Sequence, residues 1–328
     1  MPARRQPKHL ISLILLALLA CVAGARAEPL TVLTAELELN PENPEERQSG
    51  RLDYVGGLVL ASSDARFGGY SGLEVDGDGR GLWTVSDTGH WLRLELTTDD
   101  TGRPVGVRGA DLLPLADAEG RPITAKFSND AEALRRTADG RWLVAFERDH
   151  RIWRYGAPGG PAIEALPLPA ATATQPANGG LEAMAELAGG GLLLLSEDMK
   201  TREGAGAAWI WQDGGWREGA WPLSDDFRPT DAVALPGSGD IVVLERYFTP
   251  LVGPKARLRL LPVAQLQPGR AWQPQMLAEW ARPVSVDNME ALDARRAEDG
   301  SLWLYLMSDD NKNSLQRSLL MVFRLRPE

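Results

Sequence analysis

Apolar residues in this chain come in short runs broken by Gly, Asp and Pro, and the arrangement of runs repeats. Five times a run opens on a small or apolar residue, an acid and a second small or apolar residue. The copies are Ser71-Gly72-Leu73-Glu74-Val75, Asp130-Ala131-Glu132-Ala133-Leu134, Gly180-Leu181-Glu182-Ala183-Met184, Thr230-Asp231-Ala232-Val233-Ala234 and Asp287-Asn288-Met289-Glu290-Ala291-Leu292. In the second copy the motif leads through Thr137-Ala138-Asp139-Gly140 into Trp142-Leu143-Val144-Ala145-Phe146, then Arg151-Ile152-Trp153-Arg154-Tyr155, then Ala162 to Leu168. Short aromatic and β-branched runs bounded by turn formers read as strands, and Asp-Gly between two of them reads as a hairpin. Matching runs follow at Leu192 to Leu195, Ile241 to Leu244 and Leu302 to Met307. No segment sustains a helical period, so the class is all-β.

Aligning Glu74, Glu132, Glu182, Val233 and Glu290 gives steps of 58, 50, 51 and 57 residues. A repeat of that size with four short strands is a β-propeller blade, and closure of the ring removes exposed sheet edges. The last copy reaches the C-terminus after about three strands, so its fourth strand is missing. The reading is therefore a single propeller of five four-stranded blades closed by an N-terminal strand, Leu52 to Leu60 or Leu30 to Leu39. A sixth, degenerate blade built from residues 30 to 66 and 97 to 125 is the alternative. Residues 40 to 50 and 156 to 178 read as surface loops, and residues 28 to 328 as one domain.

Ahead of that domain stand Arg4, Arg5 and Lys8, an apolar stretch from Leu10 to Ala20, and Ala25-Arg26-Ala27 before Glu28. Residues 1 to 27 thus read as a secretory signal peptide cleaved near Ala27, which makes the product periplasmic or secreted. The stretch is too short for a stable bilayer-spanning helix, so no transmembrane domain is expected after cleavage. An uncleaved anchor and lipidation of Cys21, in Leu18-Leu19-Ala20-Cys21, are the alternatives. Cys21 is the only cysteine, which excludes a disulfide framework, a thiol nucleophile and a cysteine metal site. Four of the 35 basic residues and none of the 45 acidic ones fall in residues 1 to 27, leaving 31 against 45, a net charge of -14. That balance argues against nucleic acid as a partner and suits cations.

The second strand of each copy ends in polar residues: Ser86-Asp87, Glu147-Arg148, Ser196-Glu197-Asp198, Glu245-Arg246 and Ser308-Asp309-Asp310-Asn311. That strand runs antiparallel to the motif strand, so its end returns to the edge where the motif begins. With the motif strand innermost, these side chains gather with Asn129, Asp130, Asn178, Asp231, Asp287 and Asn288 at one mouth of the channel. Oxygen-rich clusters suit a hard cation, above all calcium, and the expected ligands are Asp130, Glu197, Asp231, Asp287 and Asp309. Glu132, Glu147, Glu182 and Glu290 are candidates for activating a water, with Arg148 and Arg246 holding an anionic substrate group. The competing reading is that the same side chains satisfy backbone groups of neighbouring blades. Val233 breaks the ring of acids. His90 and His150 read as exposed loop residues, and most of the eleven tryptophans as packing between blades. No Gly-x-Ser-x-Gly, His-Glu-x-x-His or Walker sequence occurs.

Phe67-Gly68-Gly69-Tyr70-Ser71-Gly72-Leu73-Glu74 followed by Val85-Ser86-Asp87, Asp130 to Leu134 followed by Phe146-Glu147-Arg148, and Asn178 to Ala183 followed by Leu195-Ser196-Glu197 resemble the phytase-like family, also described as having esterase-like activity of phytase. The likeness runs over roughly residues 50 to 327 and takes in Asp287 to Leu292 and Ser308 to Asn311. The resemblance implies an exported bacterial propeller acting on phosphate or carboxylate esters. β-Propeller phytases hold several calcium ions at the channel mouth, but their run Asp-Ala-Ala-Asp-Asp-Pro-Ala followed by an aliphatic residue and Trp is absent here. Nor is there a basic cluster for a highly phosphorylated substrate: beyond residue 27 the only lysines are Lys126, Lys200, Lys255 and Lys312. Two functions follow as expectations, a calcium-assisted esterase or phosphoesterase taking a small-molecule substrate, or a non-catalytic ligand-binding or scaffold propeller.

Overall fold

The computed structural model describes residues 26–327, so Cys21 and nearly all of the expected signal peptide lie outside the described residues. Five antiparallel sheets follow one another around a ring, each entered by its innermost strand or, in the last case, finished by a strand from the other end of the chain. Blade 1 runs outward through Tyr70–Val75, Gly81–Ser86, His90–Thr98 and Pro104–Pro114, and Glu28–Pro29 adds to its edge. Blade 2 comprises Ala131–Arg136, Trp142–Phe146, Arg151–Tyr155 and Ala162–Ala165, and blade 3 comprises Leu181–Leu187, Gly191–Lys200, Gly206–Gln212 and Gly215–Trp221. Blade 4 is Arg228–Ala234, Ile241–Thr249, Gly253–Leu261 and Gln275–Trp280. Blade 5 takes Asn288–Arg296, Leu302–Asp309 and Ser318–Leu325 from the C-terminal end and Leu52–Ala61 from the N-terminal end.

The ring is thus a five-bladed propeller closed as expected, with Leu52–Ala61 as the closing strand. Leu33–Glu36, the other candidate region, pairs outside it. The six-blade alternative fails because residues 30 to 66 complete blade 5, while most of 97 to 125 is the outer part of blade 1 and the link to blade 2. Among the described residues no helix is long and apolar enough to cross a membrane. Apolar side chains fill the seams between blades: Val85, Trp91, Trp142 and Tyr155 form one cluster between blades 1 and 2. Trp142 there meets Trp83 and Trp91 edge-on at 5.6 and 5.8 Å, geometry that favours aromatic pairs.

Every innermost strand carries a bulge at the same level, and this sets the true register of the repeat. The residues skipped by the pairing are Gly72, Glu132, Glu182, Thr230 and Glu290. Counted from the bulge the steps are 60, 50, 48 and 60 residues. The motif alignment through Glu74 and Val233 is therefore corrected, because an extra residue in a strand shifts the side chains beyond it. Blade 1 has no side chain at the bulge: Gly72 has φ +67°, and a Cβ there would lie 2.4 Å from the Leu134 backbone nitrogen.

Just inside the bulge level a single arginine closes the channel. Arg135, on blade 2, donates to the carbonyls of Leu73 (2.8 Å), Met184 (2.6 Å), Ala232 (2.6 Å) and Leu292 (3.0 Å), one from each other blade. Its guanidinium also pairs with Glu74 at 3.2 Å and with Asp231. Carbonyls that a ring of inner strands leaves pointing at the axis need donors once buried, and one five-donor fork supplies them.

Candidate functional site

Above the Arg135 closure the inner strands open into a cavity of about 260 Å³. The bulges turn Glu132, Glu182 and Glu290 into it, and the ends of the second strands add Glu147, Glu197, Arg246 and Asp309. Eight carboxylates line it against three bases, Lys126, Arg148 and Arg246, an excess of five negative charges when all are ionised.

The cavity has two differently built halves. In one, Asp130, Glu132 and Glu147 bring a carboxylate oxygen each within 4.8 Å of the other two. Glu132 receives one hydrogen bond, from the Ser71 hydroxyl at 3.0 Å. Glu147 accepts the N–H groups of Gly179 at 2.9 Å and Gly180 at 3.3 Å. Asp130 is held by Lys126 at 2.6 Å and by Arg148. In the other half Arg246 pairs with Glu290 at 2.8 Å and Glu197 at 2.7 Å. Glu182 lines the same cavity and, among the described residues, enters no hydrogen bond or ion pair. Asp309 is anchored by the Asn311 N–H at 2.7 Å.

Burial outweighs these partners and drives the carboxyls towards their protonated forms. It raises Glu132 well above the usual range, with Glu147, Asp130 and Glu290 adding repulsion. Glu182 is raised in the same way by burial, then by Glu197 and Glu290. Burial pushes Glu290 up to about 8 against the pull of Arg246, and Asp309 up to about 7. Glu147 rises too, by burial and then by Asp130. Crowded, desolvated carboxyls of this kind either carry protons or attract a cation. Hard oxygen donors converging without a central positive group fit calcium or a similar divalent ion, and only the Asp130, Glu132 and Glu147 trio offers that among the described residues.

Of the residues the sequence singled out, the mouth assembles Asp130, Glu132, Glu147, Arg148, Glu182, Glu197, Arg246, Glu290 and Asp309. Two fall elsewhere. Asp231 sits on the closed side with Arg135, accepting the N–H groups of Ala232 and Leu292 at 2.8 and 2.7 Å, because the blade 4 bulge falls one residue before it, at Thr230. Asp287 does not line the cavity and faces Arg317 at 3.4 Å. His90 and His150 are half-buried rather than exposed, with His90 opening a strand and His150 Nε2 donating to the Pro176 carbonyl at 2.8 Å. Lys126 and Arg135 were not singled out. For Lys126 the available signal was its spacing of four from Asp130, whereas Arg135, one of two adjacent arginines ending the strand Ala131–Arg136, carried no signal of its own.

Solved structures similar to this chain are distant in sequence. A protein of unknown function from Dyadobacter fermentans is 13% identical, with 92% of this chain and 94% of that one covered and a TM-score of 0.44. An endo-arabinase from Bacteroides thetaiotaomicron is 13% identical, with 81% and 96% covered and a TM-score of 0.46. No curated protein matches the chain. The sequence pattern of the phytase-like family, described as esterase-like activity of phytase, matches residues 65–312, from the approach to the first motif to the loop after Asp309. With three quarters of its length inside that match, the chain belongs to the phytase-like family.

Proposed function

We propose that this protein is an exported hydrolase of ester bonds, assisted by a divalent cation and working in the acidic mouth. The observation that carries the reading is the trio of Asp130, Glu132 and Glu147, whose oxygens converge within 4.8 Å with no ion pair to Glu132 or Glu147 among the described residues. Calcium is the ion this donor set favours, and when bound it would supply a Lewis acid for the carbonyl or phosphoryl oxygen of an ester. Ser71 and the Gly179 and Gly180 N–H groups orient Glu132 and Glu147. Lys126 and Arg148 hold Asp130 and give the cavity a positive edge for an anionic group of substrate or product. Glu182, unbound and raised by burial, is the carboxyl that takes a proton from an attacking water once ionised. Export rests on the basic, apolar and small-residue pattern of residues 1 to 27.

The test is hydrolysis of 4-nitrophenyl acetate and 4-nitrophenyl phosphate by the purified mature chain, with added calcium or with chelator. Turnover of either ester that needs calcium, and that drops by about 10²-fold or more in Glu182→Gln as expected for loss of a general base, supports the reading. Calcium binding without turnover of any ester would leave a non-catalytic binding propeller in its place.

A further inference from the structure

We infer that Arg246 is a built-in cation: its guanidinium fills the place of a second divalent ion, and the acids Glu182, Glu197 and Glu290 form a cation site that this chain has permanently occupied with its own side chain. The inference rests on the proposed function only for the role of the other trio.

The repeat itself marks Arg246 as a substitution of sign. Opposite the residue two before each bulge, the second strand places Ser86 in blade 1, Arg246 in blade 4 and Asp309 in blade 5. The backbone bonds from Glu147 to Asp130 and from Glu197 to Gly180 put those two glutamates at the same place in blades 2 and 3. Three blades thus bring an acid to this position and blade 4 brings an arginine. At the bulge, too, blade 4 lacks an acid, since Thr230 there donates to the Met289 carbonyl at 2.9 Å.

The contacts show what the arginine does. From blade 4 it reaches Glu197 of blade 3 and Glu290 of blade 5, at 2.7 and 2.8 Å. Glu182 is 93% buried, lines the same cavity and has no hydrogen bond or ion pair among the described residues, so the guanidinium, paired with Glu197 and Glu290, acts on this third acid only at longer range. Three carboxylates around one monovalent group are short of positive charge, whereas a divalent ion takes six to eight oxygens without needing donors. The Asp130, Glu132 and Glu147 trio is the contrasting case, since of its three acids Lys126 and Arg148 pair only with Asp130, Lys126 also reaching Asp87 outside the trio. The mouth therefore reads as a pair of cation positions, one exchangeable and one covalently tied to blade 4.

Removing the guanidinium strands three buried carboxylates, which must then bind protons or a cation. The experiment is calcium stoichiometry by isothermal titration calorimetry on chelator-treated mature protein, checked by elemental analysis. Arg246→Ala is expected to bind one more calcium per chain than the unsubstituted protein, Arg246→Lys to gain none, and Arg246→Ala with Glu182→Gln and Glu290→Gln to lose the gain. Equal stoichiometry in folded Arg246→Ala overturns the inference. If Arg246→Ala is unfolded in chelator, melting is followed against calcium: recovery of a cooperative transition supports the inference, and no recovery overturns it. If the unsubstituted protein binds no calcium the proposed function fails, while the increment in Arg246→Ala still decides the role of Arg246.

Discussion

Arg135 and the acids around it show how much one residue can decide. Its guanidinium is nearly fully buried and ties backbone from four other blades to its own. Truncating one member of a buried charge cluster leaves its partners unpaired at a cost of about 3–5 kcal/mol, so Arg135→Ala is expected to lower the unfolding free energy read from urea titration by that amount or to prevent folding. Asp293 is on the same cluster, and burial pushes it up to about 6 although Arg135 and the Val75 N–H pull the other way. A carboxyl whose folded pKa lies above its unfolded value, near 4, contributes stability that is complete below about pH 4 and lost as pH rises through 6. Urea midpoints of Asp293→Asn should therefore fall less between pH 4 and 6 than those of the unsubstituted protein. Glu132, Glu182 and Glu290 were legible in the sequence because a repeated acid between small residues is unusual in an apolar strand. Glu74 and Val233 were misaligned with them, since nothing in a sequence prints a bulge. Arg135 was invisible for a different reason: its partners are main-chain carbonyls from four distant segments, which no local pattern brings together.

At the scale of elements the bulge does most to build the site. It shifts one residue per inner strand out of the ladder and points it into the mouth, and blade 1 gives up that position to packing. Gly72→Ala places a Cβ against Leu134 and forces an L-residue to a positive φ; strain of that kind costs about 1–3 kcal/mol. A drop in melting temperature of Gly72→Ala, with calcium binding retained, is the expected outcome, because Gly72 offers the cavity no side chain. The closing strand is the second decisive element. Without Leu52–Ala61 the strand Ser318–Leu325 becomes a bare edge, and exposed apolar edges pair with other chains. Deleting residues 28 to 61 should give aggregates by size-exclusion chromatography and no cooperative melt. This closure was legible because the final repeat visibly lacked a strand, whereas the pairing of Leu33–Glu36 outside it was not, since a short edge strand leaves little pattern.

For the whole molecule, the blade repeat and its order followed from periodicity, because each blade must bury both faces against its neighbours, while the choice of five blades over six was decided by Leu52–Ala61 joining the last one. The chemistry was legible only in part: composition gave the acidity, and the ring geometry decided that Asp231 and Asp287 stay out of the mouth. Eight carboxyls against three bases in one cavity predict a further global property. An ion that binds the folded state alone stabilises it, by about 2.7 kcal/mol at a hundredfold excess over Kd, so calcium should raise the melting temperature in a concentration-dependent way, and Glu132→Gln or Glu147→Gln should weaken that dependence. The Arg135 closure, finally, makes the mouth a cul-de-sac. Anything bound there enters and leaves by a single doorway, so under the proposed hydrolysis a product would back out along the route the next substrate takes, and its inhibition should be competitive with substrate in steady-state kinetics.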